Sequence, residues 1–324
     1  MKKRVVILLG VIASLAVLWA IGSVVWGDPY VAKGHKLYTH YCASCHGTHG
    51  RQNEGFNWAH MPDPRPKDLS NKDEMSTLKD EEVFATISRE MKDTTPEIGD
   101  KIGDDEFAVP TMPTFKYTLS EEEIWAIVAF VRTLHGMKLM VDMAAQRKAL
   151  EEALEKTQQA YNQARQMAEA TSNPVTEAGT PSGPAEQDDQ SPERAAHERA
   201  RLAFLNFTTR PKPSSLPKPD LTMLEKQVAS LPERGKRLYT NKYGCNGCHR
   251  IGEEGGVVGP ALDRAGFRLN HTWIYRWIKY PQSMKPDTRM PNLGLSDQDA
   301  RAVTLYLATL RASSQAKPLE KASN

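Results

Sequence analysis

Cys42-Ala-Ser-Cys45-His46 and Cys245-Asn-Gly-Cys248-His249 decide how this chain is read, because together they use all four of its cysteines. Composition alone would produce roughly 0.001 copies of Cys-x-x-Cys-His in a chain like this one. Two thiols at this spacing can add across the two vinyl groups of one haem, and the histidine that follows is placed to bind the iron from one side. The same pairs could instead be halves of a zinc site or a redox dithiol. A single four-cysteine zinc site would have to join two distant pairs, and it leaves both histidines without a role. A thioredoxin-like dithiol calls for a surrounding βαβ pattern, and none is visible.

The flanks of the two motifs repeat. Gly34-His-Lys-Leu-Tyr-Thr39 leads into the first and Gly235-Lys-Arg-Leu-Tyr-Thr240 into the second, each reading as a short helix that ends at the cysteine turn. Farther on, LSEEEIWAIVAFVRTL at 119–134 aligns without gaps with LSDQDARAVTLYLATL at 295–310. Ser120 with Glu123 and Ser296 with Asp299 predict helix starts, the hydroxyl capping free N–H groups and the acid favouring the positive terminus. Ile124, Ile127, Val128 and Val131 then recur at helical spacing.

On these residues both segments resemble class I c-type cytochromes. The resemblance implies an all-α fold of two cytochrome c-like domains, at 30–136 and 226–314, whose first and last helices cross beside the haem. Gly34 or Gly235 would be the small residue at the crossing and Phe130 or Tyr306 its aromatic partner. It also implies two covalently bound haem c groups, held by Cys42, Cys45 and His46 and by Cys245, Cys248 and His249. The distal iron ligands would be Met112 and Met290, each in a Met-Pro pair just ahead of the closing helix. His60, Met61, His271 and Met284 are the competitors. Gly259-Pro260 resembles the family's turn whose proline carbonyl accepts the histidine ring N–H; the first domain offers Pro62, Pro64 and Pro66 instead. Arg289 and Trp277 are candidates for the haem propionates.

The ends and the middle differ in character. Met1-Lys-Lys-Arg4 precedes an uncharged run at 5–26 that would span about 33 Å as a helix, enough for a bilayer core. Residues 1–29 therefore read as an N-terminal transmembrane anchor with its basic flank in the cytoplasm, which sends both haem domains to the periplasmic side of a bacterial inner membrane. A cleaved signal peptide is the alternative. Residues 137–225 read as a linker: a long exposed helix to about 170, a Pro/Ser/Gly-rich disordered stretch to about 192, a second helix, and a proline-rich run. It serves as a spacer or as a docking element for a partner subunit. Residues 315–324 are a tail.

A net charge of +2 without a basic block gives no case for nucleic acid. The two domains carry opposite charge: residues 30–136 hold 12 Lys/Arg against 18 Asp/Glu, and residues 233–314 hold 13 against 7. An iron with both axial positions filled points to one-electron transfer rather than catalysis. The leading expectation is a membrane-tethered dihaem cytochrome c, a non-enzyme carrying electrons between respiratory-chain partners. An integral subunit of a bc-type quinol oxidoreductase or a terminal oxidase is the runner-up. A dihaem peroxidase-like enzyme comes third.

Overall fold

The computed structural model describes residues 28–51, 53–61, 65–89, 112–171, 191–219, 221 and 230–311. The expected membrane anchor at 5–26, the linker stretch at 172–190, the start of the second domain at 226 and the tail lie outside them. Among the described residues the chain is helical, with extended pairing confined to an isolated bridge between Ile251 and Glu254. No helix among them is long and apolar enough to cross a membrane.

The first half opens with α1 (Pro29–Tyr41), started by Asp28, whose carboxylate accepts from Tyr30 N, and by Pro29 in the first turn. Helix α2 (Ala43–His46) carries the cysteine turn and stops at Gly47, whose φ of 79° favours glycine. Two short helices follow, α3 (Lys72–Met75) and α4 (Asp80–Ser88), and then the closing helix α5 (Glu121–Leu134). Ser120 Oγ accepts from Glu123 N at 3.2 Å while Glu123 returns the bond to Ser120 N at 3.1 Å, a reciprocal cap. Helix α5 crosses α1 so closely that a Cβ on Gly34 would overlap the Ala126 carbonyl oxygen. Tyr38 packs on Phe130 beside the crossing, ring centres 5.0 Å apart.

The middle of the chain folds back. Helices α6 (Met143–Thr171) and α7 (Pro192–Thr208) pack as a hairpin. Met143 and the fully buried Phe207 enter the core formed by Tyr38, Leu119, Ile124 and Val128. Arg210 then grips Glu123 through two bonds of 2.7 and 2.8 Å. Farther on, Pro217 O accepts from Arg276 Nε at 2.7 Å and Leu221 lies in the core of the second half. The expected spacer is therefore a strap, anchored in one core at Phe207 and in the other at Leu221.

The second half repeats the plan with fewer parts. Helix α8 (Leu231–Arg237) runs into a π turn at Leu238–Lys242 and a 3-10 turn at Cys245–Gly247 that carries the cysteines. Helices α9 (Ala265–Arg268), α10 (His271–Lys279) and α11 (Pro281–Met284) precede the closing helix α12 (Asp297–Thr309). A Cβ on Gly235 would overlap the Ala302 carbonyl oxygen, as Gly34 does with Ala126.

Candidate cofactor site

The second half holds a cavity of about 500 Å³ into which the chemistry-bearing residues converge. Cys245, Cys248, His249 and Met290 all line it, with Tyr243, Leu262, Ile274, Ile278 and Val303 supplying apolar walls. Trp277 and Arg289 line it too, whereas the competing Met284 and His271 do not. Each wall has a local cause: α10 presents its apolar face inward, and the Pro281–Met284 turn delivers the loop that carries Met290. His249 Nδ1 lies 2.8 Å from Pro260 O, which fixes the ring and leaves Nε2 as the nitrogen able to face a metal. Gly259 is needed there, since a Cβ would collide with the imidazole. Tyr239 donates to the His249 carbonyl at 3.1 Å and braces the same turn.

The first half builds its turn from different groups. His46 Nδ1 meets the carbonyl of Lys67 at 3.2 Å, not that of Pro66, while Pro62 and Pro64 lie outside the described residues. A backbone carbonyl suffices for that bond, and here the residue after Pro66 supplies it. Cys42 and Met112 pack against the same core cluster as Tyr41 and Phe115, and Tyr38 donates to Gly47 O at 2.7 Å. Residues 90–111, which lead into Met112, lie outside the described residues. Of the competitors, His60 is exposed on a 3-10 turn. Met61 is buried, and its sulfur accepts from Asn57 Nδ2 at 3.0 Å.

Burial sets the protonation of these groups. It lowers both His46 and His249 from the ordinary imidazole value, against the pull of the Lys67 and Pro260 carbonyls, so each ring is neutral and able to ligate. It pushes the Cys42, Cys245 and Cys248 thiols up to about 12, Cys248 being also affected by Cys45 and Cys245. Among the described residues no group of three His, Cys, Asp or Glu gathers as a zinc site would require.

A flat, largely apolar macrocycle attached by two sulfurs fits the cavity: its size is that of a cofactor pocket, its walls are mostly hydrocarbon, and a neutral imidazole and a thioether both line it. A cytochrome c family model matches residues 31–135 and 232–311, together more than half of the chain. The chain belongs to the cytochrome c family. Covalent haem c and one-electron transfer follow from that membership. No curated protein matches the chain. One solved structure, the Kuenenia stuttgartiensis reducing HAO-like protein complex Kustc0457/Kustc0458, aligns with a TM-score of 0.24 and 15% identity over 86% of this chain and 96% of that one.

Four contributors to these sites carried no recognisable signal in the sequence. Lys67, Asn57, Arg210 and Phe207 belong to no motif, and each acts through a partner distant in the chain. Arg132 had a faint one, a lone charge in the apolar run of α5. It is buried, and it donates to Asp80 at 2.6 Å, Met75 O at 2.9 Å and Leu78 O at 2.7 Å.

Proposed function

We propose that this protein is a membrane-tethered dihaem cytochrome c that moves single electrons between respiratory-chain partners on the periplasmic face of the inner membrane. The convergence of Cys245, Cys248, His249 and Met290 on one cavity carries the reading. Haem c, when bound, supplies a ferrous/ferric couple. The chain's own residues do the rest. Cys42 and Cys45, and Cys245 and Cys248, anchor one group each. His46 and His249, oriented by Lys67 and Pro260, would ligate the iron together with Met112 and Met290. The apolar walls exclude water, and a thioether ligand favours the reduced state. The uncharged apolar run at 5–26 in the sequence supports the membrane location.

A fixed subunit of a larger respiratory assembly is the second reading. It is favoured by apolar side chains left exposed near and along the α6–α7 hairpin: Met140, Met167 and Leu202. Co-purification of a stoichiometric set of subunits from solubilised membranes would select it over an independent carrier.

The test of the main reading is a haem count. Cys245→Ala with Cys248→Ala leaves one covalent haem per chain, and Met290→His keeps both but lowers the potential of one. Two haems surviving loss of the second cysteine pair would sink the assignment.

A further inference from the structure

Asn57 is fully buried and follows the first cysteine turn. Its backbone N–H bonds Ser44 O at 3.0 Å, which holds it against the first attachment motif. Its side chain reaches into the other half of the molecule. Nδ2 donates to Gly247 O at 2.7 Å, and Oδ1 accepts from Val257 N at 2.8 Å. The carboxamide thus stands in for a peptide unit that the second attachment loop lacks. Nδ2 also lies 3.7 Å from Cys45 Sγ and 3.0 Å from Met61 Sδ, while Gly247 directly precedes Cys248. Gly256 makes room, because a Cβ there would overlap Gly247 O.

Other contacts join the same two bodies. Thr118 Oγ1 accepts from Asn292 N at 2.8 Å. The Tyr117 ring lies where a Cβ on Gly294 would be. His40 and Pro113 from the first half line the cavity of the second. The strap between Phe207 and Leu221 closes the circuit on the outside.

We infer that Asn57 is a positioning residue that docks the two attachment turns back to back, so that the modules form one unit in which electrons pass internally. The inference rests on the two-haem reading above. One electron leaves the reduced module and arrives at the oxidised one; no bond breaks, no proton moves, and the pair simply exchanges oxidation states. Tunnelling falls steeply with distance, and the Cys45–Asn57–Gly247–Cys248 path is short and made of covalent and hydrogen-bonded links. Losing the amide would also orphan Gly247 O and the Val257 N–H in a buried seam.

The experiment uses the full-length, detergent-extracted holoprotein with its haem count verified. Exchange NMR of haem methyl signals in partly reduced samples gives the rate between modules, and amide hydrogen exchange at Val257 reports docking. In the parent protein the rate is expected to be independent of protein concentration. Asn57→Leu is expected to keep two haems, speed exchange of the Val257 amide and slow electron exchange by about tenfold or more. Asn57→Asp keeps the acceptor for Val257 but loses the donor to Gly247, and should fall between. A parent rate that scales with concentration overturns the inference even if neither variant folds. An unchanged rate in Asn57→Leu overturns it as well. A chain carrying one haem would overturn the two-haem reading instead.

Discussion

The two halves share a crossing and differ in what supports it. Gly34 over Ala126 and Gly235 over Ala302 are the same backbone-on-backbone approach, and a Tyr packs beside each, on Phe130 or Tyr306. The acid three residues into each closing helix has a different job in each half. Glu123 is long enough to cap Ser120 N and still receive Arg210 from the strap. Asp299 is one carbon shorter; its backbone N–H bonds Ser296 Oγ, and its carboxylate turns inward to Lys242 at 2.8 Å, Arg234 at 2.6 Å and Tyr243 at 2.8 Å. At this acid the first half borrows support from outside its repeat, whereas the second uses its own residues. A shared geometric demand therefore fixes the crossing, and the buttress is free to vary.

The sharpest break of that comparison is Gly34→Val set against Gly235→Val. Each forces its helices apart, at a cost of about 5 kcal/mol, and each should destabilise its own module only, the thioether-linked haem staying attached. Melting curves of the two modules check this; destabilisation in one variant but not in the other would show that the crossings are not equivalent. Next comes Phe207→Ala, expected to cost the first module about 4 kcal/mol through lost contacts and a cavity, and the second module almost nothing. Equal loss in both would mean that the strap supports the pair rather than one core.

Asp299→Ala should cost the second module about 2 kcal/mol, moderated because Arg234 and Lys242 can turn back toward water. Its pH dependence has a definite sign. Burial alone would raise this carboxyl, but the hydrogen bonds from Lys242 and Tyr243, with the charges of Lys242 and Arg234, hold it below the usual range. Its stabilisation is fully present above the unfolded value of about 3.9 and lost as pH falls through the lower folded one. Parent and variant melting should therefore converge as pH drops below about 4. A gap that persists in strong acid would assign the effect to packing. Smallest is Ser120→Ala against Ser296→Ala, each about 1 kcal/mol by denaturant unfolding. The two should be nearly equal, because the reciprocal bond to Glu123 uses the Ser120 backbone N–H, which alanine keeps.

Much of the site was legible. The two cysteine motifs with their histidines are local patterns whose chemistry follows from spacing, whereas the Met-Pro pairs and the Gly259-Pro260 turn were readable only through the family resemblance. Lys67 was not, since any backbone carbonyl can accept the histidine N–H and only the path of the loop decides which one arrives. The middle of the chain was legible as helix but not as structure. Its thin apolar stripe at Leu150 and Leu154 suggests a spacer, and only packing shows that Phe207 completes a distant core. Asn57 was silent for the same reason: its partners lie 190 and 200 residues away.

By itself the sequence determined what is covalent or periodic: where the cofactor attaches, where helices start, and where glycine must stand so that helices can touch. Tertiary structure alone decided which carbonyl orients His46, where the strap is anchored, and how one half meets the other. Such choices are made by single polar groups and side chains seeking partners across hundreds of residues, and nothing local in the chain records which partner will be within reach.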